Sequence, residues 1–333
     1  MIPRAIYRAT SLPGAKPPYD RVSLKIFYPA NYGDSEEERN AGVVPADTSG
    51  APFPVVIILP GINLGPEAYT WLARELACAG IASVTYTLVA EEMPGYISQT
   101  PGLDLTALSS DEYGRHPSAT AIGPILEELH KLNEEGLLAG ALDMNSVILA
   151  GHSAGGGTVA LLNAQPQWFA GVCGALAYGA HTGAATALGY PEDSMFTLPN
   201  QLPLLVMGGT RDGCIANSSA RYGEANGSPT ARVERTFDEA LDSNRGDCYL
   251  AIIEGANHFS FAHPLDDSTG RPFIDMTTTE PDEELRSMLA SLVKNFTLAV
   301  ARNHPESRDQ LNALLLGENP LIKRGSETLK ASI

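Results

Sequence analysis

The chain has 333 residues, 44% hydrophobic and 18% charged, enough to bury a sizeable core in one large α/β domain or two smaller ones. Its 39 acidic residues against 22 basic give a formal net charge of −17, which repels phosphate backbones and anionic membranes and argues against nucleic acid as a partner. No run approaches the ~20 apolar residues of a membrane span, and the N-terminal residues lack the apolar stretch of a secretory signal, so the expectation is a cytoplasmic protein.

Residues 20–28 alternate Val22, Leu24, Ile26 and Tyr28 with polar partners, the period of a half-buried strand. Residues 31–52 are polar and contain Gly and Pro, which reads as a surface loop. Residues 54–59 then form a continuous apolar run, as expected for a strand covered on both faces. From there strands and helices alternate. Tyr69, Leu72, Ala73, Leu76 and Ala77 make a helical stripe that Gly80 ends. A second buried strand covers residues 81–86. Ile122, Ile125, Leu126, Leu129 and Leu132 make the next stripe, and a third strand covers 146–150. Strands are also expected over 169–177, 202–207 and 249–253. Leu285, Leu289, Leu292 and Phe296 mark a long amphipathic helix, with Thr279 as its expected cap.

This alternation predicts one α/β domain over 1–318, a mostly parallel sheet with helices on both faces, followed by a flexible tail over 319–333. Two long Gly-, Pro- and Ser-rich stretches, 88–117 and 179–201, each follow a strand and are candidate lids, because ligands of parallel sheets bind beyond the carboxyl ends of the strands. Their apolar residues, such as Met93, Tyr96, Leu108, Leu188, Tyr190 and Phe196, either line a pocket or pack on one another. Cys78, Cys173, Cys214 and Cys248 show no CxxC spacing. Cys78 reads as helix core and Cys173 as strand core. Cys214 and Cys248 fall near opposite ends of neighbouring parallel strands, too far apart to bridge. Neither a metal nor a cofactor is expected.

The strongest motif is Gly151-His152-Ser153-Ala154-Gly155, a G-x-S-x-G pattern that a chain of this length carries by chance about one time in ten. Here it follows a buried strand and precedes a helix, the setting in which a serine is held on a sharp turn as a nucleophile. A serine needs a base within hydrogen-bond reach. Of seven histidines, His258 lies just past the end of the last strand, on the same sheet edge as Ser153. His152 points elsewhere and reads as structural. His116, His181 and His263 lie in loops, and His130 and His304 on helices. The orienting acid belongs at the end of an intervening strand, where Asp212 follows 204–207. Asp193 is its rival. The oxyanion hole needs two backbone amides, those of Ala154 and of Ile62 in the loop after 54–59, each worth ~3–4 kcal/mol.

Together the elbow GHSAGG, the turn GTRDG and the turn GANH resemble the α/β-hydrolase superfamily over residues 20–300. Within it the chain looks most like the esterases around dienelactone hydrolases, chlorophyllases and platelet-activating-factor acetylhydrolases, and its Pro60-Gly61 is similar to the oxyanion loop of polyester hydrolases and cutinases. The resemblance implies hydrolysis of a small-molecule or lipophilic carboxylic ester through an acyl-serine, without metal or organic cofactor. Dienelactone hydrolases carry a cysteine where Ser153 stands, so their activity is not implied. Amide or thioester cleavage would use the same triad. A non-catalytic ligand-binding protein on this scaffold is the alternative from another class.

Overall fold

The apolar runs and helical stripes assemble into a ten-stranded mixed sheet flanked by helices on both faces. The computed structural model describes residues 2–93, 95–222, 227–241 and 245–328. The chain enters through β1 (Ile2–Ser11) and β2 (Arg21–Ala30), then α1 (Glu36–Ala41), β3 (Phe53–Leu59), α2 (Thr70–Cys78), β4 (Ala82–Met93) and β5 (Tyr96–Gln99). The middle comprises α3 (Ile122–Glu134), β6 (Leu142–His152), α4 (Thr158–Leu162), β7 (Val172–Tyr178), β8 (Leu204–Gly209), α5 (Gly213–Ser218) and α6 (Ala231–Asp238). It closes with β9 (Tyr249–Ile253), α7 (Asp282–Ala301), α8 (Pro305–Leu316) and β10 (Ile322–Glu327).

Strand order is β1-β2-β4-β3-β6-β7-β8-β9-β10. The block from β4 to β9 is parallel, and antiparallel strands finish both edges. Strand β3 shows why the centre must be covered twice. Its Phe53, Val55, Ile57 and Leu59 join a core with α3 and α4, while Val56 and Ile58 join a second core with α2 and α7. All seven of its residues are buried, each large side chain contributing roughly 1.5–3 kcal/mol. Parallel alignment puts the carboxyl ends of β3, β6, β8 and β9 on one edge, where Ile62, Ser153, Asp212 and His258 follow.

Several expectations are corrected. The supposed tail carries β10, which pairs antiparallel with β9, and Arg324 within it clamps Asp238 and Glu234 of α6. Charged residues hid this strand, since an edge strand needs backbone partners more than apolar side chains; residues 329–333 lie outside the described residues. Residues 31–52 include α1, whose Ser35 caps the first turn while Glu38 reaches back to it. Helix α7 begins at Asp282 with Pro281 at its cap position, so Thr279 is not its cap. Cys78 is exposed rather than core; all four cysteines are free. Among the described residues no helix is long and apolar enough to cross a membrane.

The two candidate lids behave differently from expectation. Strand β4 runs on into the first and turns back as β5. The second lies against the first: the Ser110 amide donates to the Leu188 carbonyl at 2.9 Å, and the Tyr113 and Tyr190 rings each pack on Phe196. Leu108, Leu188, Tyr190 and Phe196 therefore join the main core, which settles their role as mutual packing. The side chain of Met93 lies outside the described residues.

A chain ending at Glu318 would leave the β9 edge unpaired, so its thermal midpoint should fall by several degrees, at about 2 °C per kcal/mol for a protein of this size or larger. An unchanged melting curve would mean that β10 adds nothing to the sheet.

Candidate active site

The turn after β6 is built by its glycines. A Cβ on Gly151 would overlap the Gly156 carbonyl, and one on Gly156 would overlap the Leu59 carbonyl at the end of β3. The backbone can therefore close down on itself, and Ser153 is forced to φ +63°, a left-handed conformation that a serine adopts only where its surroundings impose it. The helix below starts with a widened π turn over Ser153–Gly157.

Ser153, His258 and Asp212 form one hydrogen-bonded line. Ser153 Oγ lies 2.9 Å from His258 Nε2, and His258 Nδ1 lies 2.8 Å from Asp212 Oδ2. The carboxylate can only accept, so Nδ1 carries the ring proton and Nε2 is left to accept from the serine. Asp212 is fully buried, and its other oxygen caps α5 by accepting from the Ile215 amide at 2.8 Å. Burial works against a charged His258, but the Asp212 carboxylate outweighs it by charge and hydrogen bond, so the pKa of the imidazole is raised.

His152 does point away from the cleft, and it completes a second line. The Gly61 amide donates to Tyr69 Oη at 2.9 Å, and Tyr69 Oη lies 3.0 Å from His152 Nδ1. His152 Nε2 lies 2.9 Å from the His258 carbonyl. Because that carbonyl is an acceptor, Nε2 must hold the proton, and the Tyr69 hydroxyl donates to Nδ1. Burial and the nearby His258 push the His152 pKa down to about 3, which keeps this ring neutral. The loop after β3 and the turn bearing His258 are thus tied through one buried phenol and one buried imidazole.

The other expected positions fall as follows. The Ile62 amide packs against Gly155, and among the described residues it has no hydrogen-bond partner in the chain. Ala154 sits in the first helical turn, where an amide has no carbonyl a turn behind it. Asn63, at φ +61°, donates its amide to Gln99 O at 2.8 Å and accepts from the Gln99 amide through Oδ1, so β5 holds the loop after β3 in place. Asp193 is not brought to the site; it pairs with Arg235 at 2.6 Å. His130 and His263 are exposed, His116 is half-buried, His304 caps α8, and His181 is buried and takes the Gly183 amide on Nδ1.

Sequence reasoning missed Asp275. Its carboxylate accepts from the amides of Gly213 at 2.7 Å and Phe259 at 3.2 Å, the residues directly after Asp212 and His258. Burial, and then the Asp212 charge, push its pKa up. No strand or motif precedes Asp275, so nothing in its sequence context marks it.

These groups open on a cleft of about 420 Å³. Ile62, Asn63 and Tyr96 form one wall, and Cys214, Phe259 and Arg271 the other. A groove of about 430 Å³ between α2 and α7 is similar in size, but Arg74, Glu75, Glu283 and Lys294 make it a charged surface furrow, and among the described residues no histidine lines it beside Ser287 and Ser291. Asp212, Cys214 and His258 bring possible metal-ligand atoms within 4.8 Å of one another. Asp212 and His258 already bond to each other, however, and burial pushes the Cys214 thiol up to about 12, so it stays protonated. The donor set suits proton transfer better than metal binding. No protein-family model matches the chain, and no curated protein matches it.

Tyr69→Phe removes the oxygen that serves both the Gly61 amide and His152 Nδ1. Each stranded buried group should cost about 1–3 kcal/mol, measured by urea denaturation. A loss below about 0.5 kcal/mol, typical of an indifferent surface change, would show that this line carries no weight.

Proposed function

We propose that the chain is a serine esterase of the α/β-hydrolase fold, cleaving small-molecule carboxylic esters through an acyl intermediate on Ser153. The observation that carries this reading is the line from Ser153 Oγ through His258 to Asp212, delivered to one cleft by the ends of three parallel strands. In the proposed cycle His258 Nε2 takes the Ser153 proton as Oγ attacks the ester carbonyl. The Ala154 and Ile62 amides receive the oxyanion, each contributing ~3–4 kcal/mol. His258 then gives its proton to the departing alcohol. Water repeats the sequence, releasing the acid and restoring Ser153.

The assay is turnover of p-nitrophenyl esters of graded acyl length, with matched amides and thioesters alongside to identify the leaving group. Ser153→Ala should lower kcat on the order of 10⁴- to 10⁶-fold. Full activity in that variant would reject the nucleophile.

The pH profile gives an independent check. His258 must be neutral to act as base, and its pKa is raised. Activity should therefore be lost as pH falls through a value above that of an ordinary histidine. In Asp212→Asn the raising charge is gone and burial remains, so this acid limb should move to lower pH while the plateau falls on the order of 10⁴-fold. An unmoved limb would place the titration on another group.

A further inference from the structure

Two cations reach the cleft of Ser153, and the proposed ester chemistry uses neither. Arg221 lies on the single turn Ser219–Tyr222 after α5, and Arg271 immediately precedes the turn Pro272–Ile274. Both line the cleft beside Ser153 and His258, and among the described residues no aspartate or glutamate lines it. Acidic residues outnumber basic ones 39 to 22. Yet among the described residues no carboxylate pairs with either guanidinium, whereas Arg235, Arg245 and Arg324 each hold one. Both guanidinium-bearing residues line one cleft, and they reach it from the segments that follow Asp212 and His258. In a chain of net charge −17 this cleft is a local reversal of sign, which draws in an anion that the rest of the surface repels.

A guanidinium is a planar fork matched to the two oxygens of a carboxylate, and two of them fix its orientation as well as its position. The remaining lining, Ile62, Tyr96 and Phe259, supplies apolar contact for the carbon skeleton. We propose that the cleft selects esters carrying a carboxylate, which Arg221 and Arg271 hold while the scissile carbonyl lies at Ser153. This rests on the serine-esterase reading above. Hydrolysis itself is unchanged: water adds across the acyl–oxygen bond, and the second carboxylate takes no part in bond making.

The test compares substrates of equal length with and without the charge. The acyl-side pair is p-nitrophenyl hemiglutarate and p-nitrophenyl pentanoate; the alcohol-side pair is 4-acetoxybenzoate and p-tolyl acetate. For the wild-type protein, kcat/KM should favour the charged member of at least one pair by about tenfold or more, and the advantage should shrink as salt is added. Arg221→Ala and Arg271→Ala should each lower that ratio, and Arg271→Glu should lower it further. Neutral esters hydrolysed in a Ser153-dependent way with no charge preference, or a preference that survives both substitutions, would overturn the proposal and leave the esterase reading standing. Should none of these esters be cleaved, the rates at which a carboxylate-bearing and a neutral fluorophosphonate label Ser153 give the same ratio. Equal rates overturn the proposal; no labelling by either overturns the esterase reading, and this inference with it.

Discussion

The site depends on how closely the turn after β6 packs against the end of β3. Gly156 lies against the carbonyls of Leu59 and Pro60, and Gly155 lies against the Ile62 amide. The position of Ser153 and the position of the loop proposed to hold the oxyanion are therefore one geometric fact rather than two. The left-handed backbone at Ser153 follows from the same closeness, since the turn cannot relax without pushing into β3. Strand β5 holds the loop from its far side through Asn63, and Tyr69 holds it from beneath through Gly61. A donor aimed at a developing charge is effective only when it need not move, and this loop is fixed on three sides.

Neighbouring imidazoles with opposite electrostatics show how partners decide function. The rings of His152 and His258 lie 5.1 Å apart, centre to centre, and both are buried. His152 meets a phenol and a carbonyl, neither charged, so desolvation prevails and the ring stays neutral. His258 meets the Asp212 carboxylate, which more than offsets the same desolvation. One ring thereby serves as a fixed strut between two loops. The other is the proposed proton carrier. The strut holds its backbone, because His152 donates to the His258 carbonyl.

What was legible in the sequence was whatever local pattern encodes. The parallel strands announce themselves by continuous apolar runs, and each of Ser153, Asp212 and His258 stands a few residues beyond one, so their shared edge follows from chain direction alone. Burial on a single face, or pairing through backbone, leaves no such mark. Strand β10 reads as polar because its ladder to β9 is made by amides and carbonyls, and its side chains are only partly covered. Tyr69 fits a helical stripe equally well as core filler or as a hydrogen-bonding strut. The difference depends on residues 83 positions away. Asp275 is invisible for the same reason, since its partners are backbone amides brought in from two other turns.

The fate of the two long loops also decides where selectivity can reside. Because 88–117 and 179–201 pack on each other and on the main core, they leave mainly Tyr96 to face the cleft. The remaining walls are the short segments that follow Asp212 and His258. Arg221 stands on one and Arg271 on the other, and Asp275, four residues past Arg271, anchors the amides of both Gly213 and Phe259. One half-buried carboxylate thus ties together the backbone next to the proposed acid, the backbone next to the proposed base and the segment that carries a cation. The segment carrying Arg271 is therefore coupled through Asp275 to the backbone beside Asp212 and His258. Both arginines stand on or beside short turns at the cleft rather than on either long loop.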